Sequence, residues 1–158
     1  MRRLYLGLGL FAALAPPAIA AEQDPRVGNW KLLSYELVVD DGPPQAVFGQ
    51  HPNGHIILTP QGRMMAFISA EKRQAGGSEA AKAKLLETMF AYTGTYRIEG
   101  SDFITTVDGS WIESLNGTQQ RRHTKLEGDK LTIISEPQPS PPVIGGKTFY
   151  GKLYWQRE

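Results

Sequence analysis

The sequence predicts an all-β protein, a single eight-stranded antiparallel up-and-down barrel with one short helix. Runs rich in aromatic and β-branched residues recur at hairpin spacing. Gly, Pro and Asp separate these runs, and only one stretch has helical periodicity. An eight-stranded barrel either holds one small ligand or is filled by its own side chains. A β-sandwich is the alternative architecture.

The N-terminal residues have the pattern of a secretory signal peptide. Arg2 and Arg3 open the chain, 4–15 carries no charge, and small residues surround Ala20 and Ala21. The uncharged run is shorter than the roughly 18 apolar residues that a membrane-spanning helix needs. We therefore expect a signal peptide over 1–21, cleavage near Ala20 or Ala21, and a periplasmic or secreted mature domain, 22–158, without an integral membrane span.

The composition narrows the classes of partner and cofactor. The chain has 17 Lys and Arg against 16 Asp and Glu, and two of the arginines lie in the predicted signal peptide. Without a basic excess we expect no nucleic-acid partner. The absence of cysteine excludes disulfides and thiolate metal sites. His51 and His55 flank a Pro-Asn-Gly turn rather than sharing a helix, so we predict no metal and no cofactor.

The first three strands lie before the helix. Gly28–Val39 is rich in aromatic and β-branched residues and ends at an Asp-Asp-Gly-Pro-Pro sequence. A second strand is predicted over 55–59 and a third over Arg63–Ser69. Pro60 and Gly62 between them have the spacing of a type I turn.

The predicted helix covers 78–91. Ser78 can cap its N-terminus, and Ala81, Leu85 and Met89 recur at four-residue spacing. We expect this stripe to pack against the core. A lid that faces the ligand is the alternative.

Five more strands complete the barrel. Strands over 93–98 and 103–108 form one predicted hairpin, and strands over 118–126 and Lys130–Ser135 form another. A last strand over 147–156 follows a Pro-rich loop, 136–146.

Several segments resemble, in family order, the bacterial lipocalin-like domain family. They are 28–32, 34–36, 54–64, 92–96, 120–122 and 126–132. The resemblance covers essentially the whole mature chain and implies a barrel in which Trp30 plugs one end. It also implies one or two His residues where this chain has Thr105 and Thr106.

Side-chain alternation along the strands predicts a charged pair inside the barrel. If Trp30 faces inward, so do Ser34 and Glu36 on the same strand. Gln120 and Arg122 face inward on a later strand by the same rule. Two interpretations stay open. Either Glu36 and Arg122 pair with each other, or Arg122 binds a ligand carboxylate or enolate while Glu36 serves as hydrogen-bond partner or base.

Aromatic and sulfur-containing side chains complete the predicted ligand site. Along the third strand alternation allows either Met65 and Phe67 or Met64 and Ala66 to face inward. The predicted ligand-binding residues are Trp30, Ser34, Glu36, Met65, Phe67, Tyr92, Tyr96, Trp111, Gln120 and Arg122.

The leading functional hypothesis is an exported protein that binds a small amphipathic or hydrophobic molecule, such as a fatty acid, polyketide or isoprenoid-like compound. It assigns no catalytic residue. A second hypothesis is a cyclase, isomerase or dehydratase that moves a proton with Glu36 and either Tyr96 or Arg122. A third is a structural barrel with a filled interior.

Overall fold

The computed structural model of the protein describes residues 23–139 and 147–158. The predicted signal peptide lies outside these residues, and so do 140–146 of the Pro-rich loop. Within the two described ranges, no helix combines the length and the hydropathy needed to cross a membrane.

The described chain consists mainly of β-strands. The strands are β1 (Gly28–Val39), β2 (Asn53–Leu58), β3 (Arg63–Ser69), β4 (Met89–Glu99), β5 (Asp102–Ser110), β6 (Gln119–Glu127), β7 (Lys130–Ser135), β8 (Gln138–Pro139) and β9 (Thr148–Arg157). The α-helix α1 (Glu79–Glu87) precedes β4, and a 3-10 helix over Glu113–Leu115 precedes β6. β1, β3 and β7 have the predicted bounds, and the other long strands differ by a few residues.

The sheet closes on itself. Neighbouring strands pair antiparallel in chain order, and β1 also pairs with β9 from Trp30 opposite Arg157 to Val39 opposite Phe149. The two-residue β8 pairs with β9 beyond the end of β7. The predicted eight-stranded antiparallel barrel is therefore confirmed. A sandwich is excluded, because the first and last long strands pair with each other instead of forming free edges.

α1 is shorter than predicted, and the expected extent of 78–91 is wrong at its C-terminal end. Ser78 does cap the helix, since its Oγ accepts a hydrogen bond from the Ala81 N–H at 3.2 Å. The helix ends at Glu87, and Met89 begins β4 by pairing with Ser69 of β3. Met89 therefore belongs to a strand, although its spacing from Ala81 and Leu85 continues the helical pattern. No residue of α1 is buried, so the expected packing of its apolar stripe in the core is also wrong.

Trp30 closes one end of the barrel. Its side chain is completely buried, and its indole N–H donates a hydrogen bond to the Arg26 carbonyl at 2.9 Å. The Arg157 guanidinium lies over the ring, 4.1 Å from its centroid, where cation–π attraction stabilises the stack. Arg26 also donates to the Thr124 hydroxyl on β6 at 2.9 Å. The plugging role that the resemblance implies for Trp30 is therefore confirmed.

Candidate functional site

A cavity of about 290 Å³ lies inside the barrel, and it is partly open to solvent. We call it the central cavity. Its apolar lining residues are Leu37, Ile56, Ala66, Ile68, Phe90, Ile112, Leu115, Ile133, Phe149, Gly151, Leu153 and Trp155. Its polar lining residues are Tyr35, Tyr92, Gln120, Arg122, Ser135 and Gln138.

Three of the six polar residues that line the central cavity lie on one wall, which β6 and β7 form. Gln120 and Arg122 project from β6, and Ser135 lies at the end of the adjacent strand β7. The opposite strands β2 and β3 contribute aliphatic side chains only. This arrangement suits a molecule with an apolar body and one polar group.

A series of hydrogen bonds orients the Arg122 side chain in the central cavity. The Thr118 hydroxyl donates to the Leu115 carbonyl at 2.7 Å, so its oxygen can accept from the Gln120 side-chain nitrogen at 2.8 Å. In this orientation Gln120 presents its side-chain oxygen to Arg122, which donates to it at 3.0 Å. Arg122 also donates to the Arg121 carbonyl at 2.8 Å. The wall itself therefore holds the guanidinium in place.

β1 contains a β-bulge. Leu32 lies opposite Trp155 of β9, but Ser34 lies opposite Tyr154, so Leu33 has no partner on β9. One extra residue reverses the alternation of all side chains that follow it. Ser34 therefore shares the outward face of Tyr154, and the prediction that it faces the interior of the barrel is wrong.

The same bulge separates Glu36 from Arg122. Glu36 faces outward, where its carboxylate accepts a hydrogen bond from the Tyr154 hydroxyl at 3.4 Å. The prediction that Glu36 and Arg122 share the interior of the barrel is therefore wrong. Tyr35 and Leu37 occupy the inward positions instead and line the central cavity.

Two tyrosine hydroxyls lie close enough to Arg122 to be affected by its charge. Burial raises the pKa of Tyr35 and of Tyr92 above the ordinary value of 10.0, and the positive charge of Arg122 opposes the increase at both. Both hydroxyls therefore remain neutral near pH 7 and can donate a hydrogen bond to an anion. Thr105 also opposes the rise in the pKa of Tyr92, but its buried hydroxyl makes no hydrogen bond of normal geometry to a described residue.

Three residues that were predicted to contact the ligand lie outside the barrel. The side chains of Met65 and Phe67 are 56% and 39% exposed, and Trp111 lies beside them along a shallow outer groove. The prediction that Met65 and Phe67 face the interior is therefore wrong, and Trp111 does not line the central cavity. Met64 and Ala66 face inward, which is the other orientation that alternation allows on β3.

Tyr96 faces the interior but lies near the closed end. Its hydroxyl donates a hydrogen bond to the Thr59 carbonyl at 2.7 Å. Neither Tyr96 nor Trp30 lines the central cavity. The acid–base set predicted for an enzyme, which combines Glu36 with Tyr96 or Arg122, therefore does not meet at one place.

The structure brings three predicted residues together, namely Tyr92, Gln120 and Arg122. Most of the apolar lining was missed. Phe149 could have been found by alternation from Trp155 along β9. Ile112 and Leu115 belong to the segment around the 3-10 helix, for which strand periodicity gives no signal. α1 contributes no lining residue.

The central cavity supplies binding groups: one guanidinium, one amide, several hydroxyls and an extensive apolar surface. Within the described residues, no three His, Asp or Glu side chains lie close enough together to hold a metal ion. The arrangement can desolvate an apolar body and pair with a polar group through Arg122.

The match to a protein-family model agrees with this architecture. The family model described as a lipocalin-like domain matches residues 27–158. No curated protein matches the chain. A similar solved structure is that of an uncharacterized protein from Bacteroides eggerthii, with 15% identity and a TM-score of 0.43, covering 84% of this chain and 98% of that chain. Because the family match includes every strand of the barrel, the chain belongs to the lipocalin-like domain family.

Proposed function

We propose that this chain is an exported protein that binds one small amphipathic molecule inside its barrel. The observation that carries the proposal is the central cavity of about 290 Å³. Small-molecule sites usually measure roughly 300–1,000 Å³, and the volume of the central cavity is close to the lower limit of that range. Apolar lining with a few convergent polar groups is the usual composition of such sites.

The cavity argues against a barrel filled by its own side chains. A filled barrel would have no interior space for more than a few waters, each of which occupies about 30 Å³. The positions of Glu36 and Tyr96 likewise argue against the enzyme with the acid–base set predicted from the sequence. The Glu36 carboxylate lies on the outer face of the barrel. The Tyr96 hydroxyl donates a hydrogen bond to the Thr59 carbonyl, away from the cavity.

Export is supported by the N-terminal sequence alone. Arg2 and Arg3, the uncharged segment 4–15 and the small residues up to Ala21 form a signal-peptide pattern. Expressing the full chain in a Gram-negative bacterium and sequencing the N-terminus of the periplasmic product tests this part. We expect a mature chain that begins close to Glu22. A product that retains Met1 in the cytoplasm would contradict it.

Filling the central cavity tests the binding function. Ala66→Phe places a ring inside the barrel, because Ala66 is a buried lining residue. Met65→Phe changes the neighbouring position on the exposed side of the same strand and is the matched control. Both variants are titrated with a fluorescent naphthalene-based amphipathic probe, and their folds are compared by circular dichroism.

We expect the wild-type protein and Met65→Phe to bind the probe at a single site, and Ala66→Phe to bind it at least tenfold more weakly. Native mass spectrometry of protein purified from its own host should show a co-purified small molecule. Equal probe affinity in folded Ala66→Phe and Met65→Phe would show that the probe binds elsewhere. A wild-type barrel that binds no amphipathic molecule would overturn the proposal.

A further inference from the structure

The charge of the central cavity is unbalanced. Among the described residues that line it, Arg122 alone carries a charge at neutral pH, and the other lining side chains are apolar, hydroxyl or amide groups. Arg122 is half-buried, and a cationic side chain that is partly withdrawn from water and has no acidic partner attracts a negatively charged group. The central cavity therefore favours a negatively charged occupant.

Arg122 differs from several other arginines of the described chain. Arg26, Arg63, Arg97 and Arg121 each form an ion pair with a carboxylate. No carboxylate of the described residues forms an ion pair with Arg122, whose two side-chain hydrogen bonds go to neutral oxygens. The outward turn of Glu36 removes the acid that the sequence predicts as its partner.

Arg122 retains hydrogen-bonding capacity. A guanidinium has five N–H donors, and two of them are used within the wall, one on Arg121 and one on Gln120. The remaining donors can form a two-pronged contact with a planar carboxylate. The neutral hydroxyls of Tyr35 and Tyr92 can add further hydrogen bonds to the same anion.

We propose that the occupant is a monocarboxylate whose head group binds Arg122 and whose body lies against the aliphatic wall of β2 and β3. This inference rests on the proposed binding function and specifies its ligand class. One guanidinium balances one negative charge, which favours a carboxylate over a phosphate dianion. No second cationic side chain of the described residues lines the cavity.

The volume of the cavity is sufficient for a medium-chain or single-ring acid. The cavity measures about 290 Å³ and is partly open to solvent. A longer tail can therefore extend through the opening while the carboxylate remains at Arg122.

Calorimetric titration of the mature protein with octanoate and octanamide tests the charge requirement, because the two molecules differ only in the head group. We expect octanoate to bind roughly 10- to 100-fold more tightly, the range expected for a charged hydrogen bond. Arg122→Met should abolish this difference. Arg122→Lys should retain part of it, since an ammonium keeps the charge but loses the planar donor pair. Arg97→Met, on the outer surface, should leave it unchanged.

The possible outcomes separate this inference from the proposed function. Equal affinities of wild-type protein for octanoate and octanamide would overturn the carboxylate inference and leave the binding function intact. If the wild-type protein bound neither molecule nor the naphthalene probe, both proposals would fail. Should Arg122→Met not fold, the ratio measured on wild-type protein decides the question.

Discussion

Glu36 and Tyr154 meet on the outer surface of the barrel, where the Tyr154 hydroxyl donates a hydrogen bond to the Glu36 carboxylate at 3.4 Å. Burial raises the pKa of Tyr154, and the negative charge of Glu36 and this hydrogen bond raise it further. Glu36→Gln should therefore lower the pKa of Tyr154, as measured by following its ring resonances during an alkaline NMR titration.

The same substitution should leave octanoate affinity unchanged, because Glu36 does not line the central cavity. Arg122→Met, titrated in parallel by calorimetry, provides the contrast. If Glu36→Gln lowered the affinity for octanoate as strongly as Arg122→Met does, Glu36 would have to face the cavity. That result would contradict the bulge in β1.

The bulge at Leu33 predicts which deletions β1 tolerates. Deleting Leu33 removes the residue that has no partner on β9, so Ser34 follows Leu32 in regular pairing and Tyr35 and Leu37 keep their inward positions. Deleting Glu36 removes a paired residue instead, which turns Leu37 outward or forces the strand to slip along β9. We expect the Glu36 deletion to cost several kcal/mol more unfolding free energy than the Leu33 deletion, as measured by urea denaturation. Equal losses for the two deletions would argue against the bulge.

Thr118 is a positioning residue for Arg122, since its hydroxyl orients the Gln120 amide that in turn contacts the guanidinium. Thr118→Val removes that hydroxyl at nearly constant volume. We expect octanoate affinity to fall about fivefold, equivalent to about 1 kcal/mol for one lost hydrogen bond, and octanamide affinity to change little. Thr132→Val, on the outward face of β7, is the matched control and should change neither the octanoate affinity nor the octanamide affinity. A parallel loss for octanoate and octanamide would indicate a general loosening of the cavity instead.

Tyr92 should make the barrel sensitive to alkaline pH. Its pKa is raised by burial above the ordinary 10.0, so the unfolded chain loses this proton at a pH where the folded chain keeps it. The free energy of unfolding must therefore fall as pH rises above about 10. Tyr92→Phe should reduce this fall in urea titrations monitored by circular dichroism between about pH 9 and 11. Between about pH 6 and 8 the profiles of the two proteins should run parallel, because Tyr92 is neutral there in both the folded and the unfolded chain. Identical alkaline slopes would contradict the raised pKa.

Much of the architecture could be predicted because its signals are local. β1, β3 and β7 have the predicted bounds, since aromatic and β-branched runs ended by turn residues determine strands over short distances. Arg122 was correctly placed inside the barrel. β6 pairs with both neighbours without a register shift, so simple alternation holds along that strand.

The wrong predictions share a cause, because each concerns a feature that depends on pairing between segments far apart in the sequence. The bulge at Leu33 is defined only by the register of β1 against β9, more than a hundred residues later in the chain. The end of α1 is determined by the pairing of Met89 with Ser69, although the spacing of Met89 also fits a helix. On β3, alternation separates Met65 from Ala66, but only pairing with neighbouring strands decides which of the two faces inward.

The sequence by itself determined the family, the number and order of the long strands, the plug at Trp30 and the inward position of Arg122. These features depend on residue type and on periodicity within a single strand. Only the tertiary structure decided that Glu36 lies outside and that Arg122 therefore has no acidic partner in the cavity. A one-residue shift between paired strands reverses every later side chain, and that shift is a property of two strands together.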